Sequence, residues 1–114
     1  MKAQYVLISS FLILGGCFSK NKGVLNLVNR SNESISRLNV SICNETLEFL
    51  NLKSGAVVSG SYTIKGDCHF EITVQFDSGK KIEKKYGYVT NGFDYSHQIE
   101  ISDSMVKVEG GVTD

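Results

Sequence analysis

The chain predicts an all-β fold, a small antiparallel β-sandwich of about seven strands. From Val24 onward apolar residues recur at every second position, so an extended chain would bury one face and wet the other. Turn signals such as Lys65-Gly66-Asp67, Asp77-Ser78-Gly79 and Asn91-Gly92 punctuate the alternation, roughly every 8 to 12 residues as sandwiches do. No stretch carries the 3.6-residue period of a helix of useful length.

Taken in order, the chain begins with Met1-Lys2, followed by an apolar run from Val6 to Leu14 broken only by Ser9 and Ser10, and then Gly15-Gly16-Cys17. A positive start, an apolar run too short to span a bilayer and small residues before a cut site make residues 1–16 a secretory signal. Leu14-Gly15-Gly16-Cys17 resembles the lipobox of bacterial lipoproteins, with Gly15 where Ala or Ser is more usual. The resemblance implies cleavage before Cys17 and acylation of Cys17 as the first mature residue. Phe18 is not the Asp that signals inner-membrane retention in that family, which implies the periplasmic face of the outer membrane. Residues 17–23, with Lys20, Asn21 and Lys22, read as a short polar tether.

The sandwich is expected over residues 24–109. Leu25 and Leu27 begin the alternation, and Asn29 to Glu33 is a turn cluster. Leu38, Val40 and Ile42 share a face; a tight loop at Asn44-Glu45 would set Ile42 opposite Leu47 and Val40 opposite Phe49. Val58, Gly60, Tyr62 and Ile64 alternate, and a loop at Lys65–Asp67 would set Ile64 opposite Cys68 and Tyr62 opposite Phe70. The loop Asp77–Gly79 pairs Val74 with Ile82 and Phe70 with Tyr86; shortening it by one residue would drive Lys81 and Glu83 into the core. Asn91-Gly92 is a strong hairpin signal joining Lys80–Thr90 to Phe93–Ile101, with Tyr88 opposite Tyr95, Tyr86 opposite His97 and Ile82 opposite Ile101. Val106 and Val108 add a short last strand before a tail at 110–114.

Removing the signal leaves 98 residues, one domain with one core. With Lys2 gone, 11 basic residues face 12 acidic ones, a net charge of minus one that offers no field to recruit nucleic acid. Cys43 and Cys68, an even pair in an exported domain, read as a disulfide. Cys68 falls on the apolar face and Cys43 opposite it, so the bond requires Cys43 at a strand end or bulge, where facing is loose. The Asn-rich opening strand and Leu52-Lys53-Ser54-Gly55 look similar to features of immunoglobulin-like domains in exported bacterial proteins, though the tryptophan and cysteine spacing of true immunoglobulin domains is absent. An immunoglobulin-like or transthyretin-like sandwich is the expected arrangement.

The argued registers gather Phe70, Tyr86, Tyr88, Tyr95 and His97, a candidate binding cluster with His97 as polar handle or else one end of the core. Asp67, His69 and Glu71 carry metal-ligating side chains on one strand face, but an open face closes poorly round an ion, and no metal or cofactor is expected. The lysines at 80, 81, 84 and 85 read as guards against edge-to-edge pairing. No Gly-x-Ser-x-Gly elbow or phosphate loop selects catalytic residues, so no enzyme is expected. The expectation is an outer-membrane lipoprotein that binds another cell-envelope protein or plays a structural part. Its rivals are an inhibitor or immunity-type lipoprotein that blocks an enzyme, and a carrier of a small ligand or metal.

Overall fold

The computed structural model describes residues 20–113; the expected signal segment and Cys17 lie outside them. Eight strands follow one another: β1 Lys22–Asn29, β2 Ile35–Ile42, β3 Glu45–Leu52, β4 Val57–Thr63, β5 Cys68–Phe76, β6 Lys81–Val89, β7 Tyr95–Ile101 and β8 Val106–Val112. They form two four-stranded sheets, ordered β4-β1-β7-β8 and β3-β2-β5-β6. All pairings are antiparallel except that of β1 with β7. The first two strands of an immunoglobulin domain share a sheet, whereas β1 and β2 lie in different ones. Of the two expected arrangements, the chain adopts the transthyretin-like one.

The alternation read from the sequence is the alternation of burial. β1 and β7 bury Leu25, Leu27, Ile99 and Ile101; facing them, β2 and β5 bury Leu38, Val40, Ile42, Phe70, Ile72, Val74 and Phe76. These are the central strands, closed on both sides, and their inward residues are almost fully covered. Edge strands mix buried residues, such as Val106 and Val108 of β8, with half-covered ones: Leu47 and Phe49 of β3, Val58 of β4, and Ile82 and Tyr86 of β6 pack against the core from its margins. Lys84 shares the face of Ile82 yet remains exposed, because β6 is the edge where that face opens to water.

Several registers differ from expectation. The β2–β3 turn is Cys43-Asn44, both with positive φ of 53° and 63°, as a two-residue hairpin of the I′ kind requires. Ile42 therefore meets Glu45, Val40 meets Leu47 and Leu38 meets Phe49. This is a two-residue slip from the expected register, and an even slip preserves every facing. The β5–β6 hairpin pairs Val74 with Ile82 and Phe70 with Tyr86, as read from the sequence. The two other expected hairpins do not form: β4 and β5 lie in different sheets, as do β6 and β7. Strand pairing also reaches further at both ends than expected, since Lys22 and Gly23 of the presumed tether lie in β1 and Gly110 to Val112 of the presumed tail lie in β8. Each is held by ladder bonds, Gly23 opposite both Tyr62 and Tyr95, and Val112 opposite Tyr95.

Cys43 and Cys68 form a disulfide with Cα atoms 5.2 Å apart. Because Cys43 sits in the turn, it escapes the facing imposed on the strand before it. On the other side, the β5–β6 ladder is irregular between Cys68 and Phe70. Both partners thus sit where backbone direction is free to adjust.

Candidate functional site

The aromatic cluster forms across the two layers. Phe70 of β5 and Tyr86 of β6 rise from one sheet, while Tyr95 and His97 of β7 and Tyr62 of β4 descend from the other. The His97 ring lies edge-on to Phe70 at 5.0 Å and to Tyr86 at 6.1 Å, and stacks on Tyr95 at 6.0 Å with an interplanar angle of 8°. Tyr62 meets Phe70 edge-on at 5.9 Å. Tyr88 does not join them: the residue is 67% exposed, next to Gly87 at positive φ, where the strand end turns it away. Four of the five residues expected to gather therefore converge, Phe70, Tyr86, Tyr95 and His97, with Tyr62 added to them, and Tyr88 does not.

The middle of this cluster is enclosed, with Tyr86 and Tyr95 half-buried at its margin. His97 retains 4% of its surface and Tyr62 3%, and the Tyr62 ring occupies the space above Gly23, where any Cβ would fall 2.0 Å from its Cζ. Burial lowers the His97 pKa from its ordinary value, which keeps the ring neutral. Burial, then the neighbouring Tyr95, pushes the Tyr62 phenol up to about 12. His97 Nδ1 and Tyr62 Oη have no hydrogen-bond partner among the described residues. The Tyr95 hydroxyl accepts from the Thr90 amide at 3.3 Å. The arrangement packs one end of the core.

Two open concavities lie at the same end, each of roughly 500 Å³. One surrounds the disulfide and includes Asn44, Lys65, Asp67, His69 and Glu71; the other includes Lys20, Lys22, Glu45 and Tyr62. The three metal-type side chains of the first do not converge: His69 Nε2 lies 2.9 Å from Glu71 Oε2, while Asp67 accepts from the Thr90 hydroxyl at 2.5 Å. Among the described residues no group of three metal ligands comes together.

The opposite end of the sandwich carries a feature that sequence reasoning missed. Asn29 closes β1 on its inward face and is completely buried. Its Nδ2 donates to the carbonyls of Leu52 at 2.9 Å and Glu33 at 3.0 Å, and its Oδ1 accepts from the Ser31 amide at 3.0 Å and hydroxyl at 2.6 Å. Asn51, with φ of 57°, bulges the end of β3 so that Leu52 turns inward beside it. Further bonds join all four loops at this end. Ser54 Oγ donates to the Ser31 carbonyl at 2.6 Å, Asp103 accepts from the Asn32 amide at 2.8 Å, and the Ser78 amide donates to Glu33 Oε1 at 3.2 Å. Lys80 Nζ donates to the Asp103 carbonyl while lying over the Phe76 ring. The available signal was parity: after Leu25 and Leu27, position 29 faces inward, and an amide there needs buried partners.

No protein-family model and no curated protein matches the sequence. Among solved structures, the chain is similar to the NMR structure of a protein from Eubacterium rectale, with 18% sequence identity and a TM-score of 0.57. The likeness covers 83% of this chain and 93% of that one. It supports the sandwich and carries no information about activity.

Proposed function

We propose that the protein is an outer-membrane lipoprotein, anchored through acylated Cys17 at the periplasmic face, that works by binding another envelope protein and not by catalysis. The observation that carries this reading is the tied set of loops at 30–34, 53–56, 77–80 and 102–105. Lys22 starts β1 at one end of the sandwich, and these loops lie at the other, beyond strands of seven to nine residues. At about 3.3 Å per residue that is a separation of roughly 25 Å. An anchor at one end would hold the tied loops away from the bilayer, and their cross-bonds supply the ordering that a partner would otherwise have to impose.

Crosslinking in intact envelopes followed by capture of the acylated protein tests it. The expected result is a protein partner lost on Lys53→Glu with Met105→Asp, both exposed loop substitutions, and retained on Asn91→Ser at the other end. Captures that never enrich a protein partner would overturn the proposal. A second reading, an inhibitor or immunity-type lipoprotein, draws on the loop Lys53–Gly55. There the Gly55 amide donates to the Asn29 carbonyl at 2.6 Å and the Ala56 amide to the Lys53 carbonyl at 2.9 Å, which holds Lys53 in a fixed, exposed turn. A deletion strain that survives rival toxins as well as its parent would count against it.

A further inference from the structure

We propose that the end of the sandwich nearest Cys17 rests on the lipid surface itself, with Phe93, Tyr88 and Val112 in the headgroup region. The inference rests on the acylation of Cys17 and says what that anchor does to the domain. Three large apolar side chains at this end are exposed: Tyr88 by 67%, Val112 by 51% and Phe93 by 43%. They come from the end of β6, the end of β8 and the loop between β6 and β7.

This rim is fixed to the start of the fold. The Gly92 amide donates to Asn21 Oδ1 at 2.6 Å, the Lys22 amide to Asp94 Oδ1 at 3.0 Å, and the Thr113 amide to the Asp94 carbonyl at 3.0 Å. The Gly66 amide donates to Asn91 Oδ1 at 3.0 Å, which ties in the loop before β5. Asn21 is four residues from Cys17, and four residues reach about 14 Å at full stretch. Phe93, adjacent to Gly92, therefore lies within a short arm of the acyl chains whatever path the intervening residues take.

The chemistry at the rim selects a lipid interface. Tyr settles at the boundary between headgroups and hydrocarbon because its ring is apolar and its hydroxyl polar, and Phe is among the apolar side chains that surface-bound segments bury just below that boundary. Charge does not select the surface, because Lys20, Lys22, Lys65 and Lys85 on this end stand against Glu45, Asp67, Asp94 and Glu71. The contact is accordingly apolar and insensitive to salt, which separates it from a basic patch recruited by anionic lipid.

The chain contains no tryptophan, so one introduced indole reports without background. Full-length acylated Phe93→Trp, Val112→Trp and Met105→Trp proteins would be placed in vesicles of phosphatidylethanolamine and phosphatidylglycerol, plain or with brominated acyl chains. Phe93→Trp and Val112→Trp are expected to lose emission in brominated vesicles and to shift to the blue, at low and high salt alike. Met105→Trp, 57% exposed in the wild-type residue and at the other end of the sandwich, is expected to do neither. Mass spectrometry of the same samples reads the modification of Cys17. An unacylated Cys17 sinks the anchor and the contact with it. An acylated protein whose Phe93→Trp and Val112→Trp emission is unquenched, whether because the rim is bare or because another protein covers it, overturns the lipid contact alone.

Discussion

Replacing Asn29 with leucine, a side chain of similar bulk, tests whether one buried amide holds the loop end together. The variant removes two donated bonds, to Leu52 and Glu33, and two accepted ones, from the amide and hydroxyl of Ser31. Ser31 is itself buried, at 1% exposure, so its amide is left without the acceptor it had. An orphaned buried donor costs about 1–3 kcal/mol and each further lost bond about 1 kcal/mol, giving roughly 4 kcal/mol after allowing for non-additivity. That is a large part of the total for a domain this small, about 5–15 kcal/mol. Urea unfolding followed by β-sheet circular dichroism measures it, with Asn26→Ala as control. Asn26 is the same residue type on the same strand but faces outward, and among the described residues its side chain accepts from the Ser59 hydroxyl at 2.8 Å, so its loss should cost less than about 1 kcal/mol. Asn29→Asp discriminates further, because it retains an acceptor for Ser31 but presents carboxylate oxygen to two carbonyls. An Asn29→Leu protein within about 1 kcal/mol of wild type, or an Asn29→Asp protein as stable as wild type, would refute the assignment.

Three other outcomes follow from the same geometry. Cys43→Ser with Cys68→Ser opens a loop spanning 25 positions and should lower unfolding free energy by about 3.5 kcal/mol in the chain-entropy model, read by urea midpoints with and without reductant. Gly110→Ala places a Cβ 2.2 Å from the Ser96 carbonyl at φ +125°, a backbone conflict that no rotamer relieves; it should cost about 1–3 kcal/mol and speed amide exchange along β7–β8, whereas Gly111→Ala, with nothing near its Cβ, should do neither. His97 is held neutral by burial, with its folded pKa below the unfolded value of 6.5. The unfolded chain therefore takes up the proton first, and stability present above about pH 6.5 falls as pH drops through it, at no more than about 1.4 kcal/mol per pH unit. A His97→Phe protein should lack this component, and identical pH slopes for the two proteins would exclude it.

The period-two pattern was enough to assign facings, and facings survived even where pairings did not. Tyr62 and Phe70 were expected to meet as hairpin partners, as were Tyr86 and His97. Both pairs do meet, at 5.9 and 6.1 Å, but from opposite sheets across the core. Matching apolar faces is a test that two strands pass equally by lying side by side or by facing each other through the interior, so it cannot choose between them. The β5–β6 hairpin was legible because its alternative put charges inside, a contrast that the loops at 65–67 and 91–92 do not offer. Asn91-Gly92 shows what overrides a turn signal. Gly92 takes φ of 102°, but Asn91 is not in the left-handed region that the two-residue hairpin needs. Its side chain instead receives the Gly66 amide, and the Gly92 amide goes to Asn21. The polar groups of the turn bond to other segments, and the chain crosses to the second sheet.

The same distinction explains which candidate residues converged. Tyr86, Tyr95 and His97 were gathered by facing alone, which holds across layers, and they pack together; Tyr88 depended on regular alternation persisting to the end of an edge strand, where Gly87 at positive φ breaks it. Asn29 escaped notice for the opposite reason. Its inward parity was legible, but its composition read as a turn, and the partners that make a buried amide tolerable come from Leu52, Glu33 and Ser31, segments whose proximity is set by strand order. Facing is a local property of a strand, while the satisfaction of a buried polar group is a property of the assembled sheets. A surface made of loops from both layers is therefore the part of such a protein that becomes visible only after the strands have been ordered.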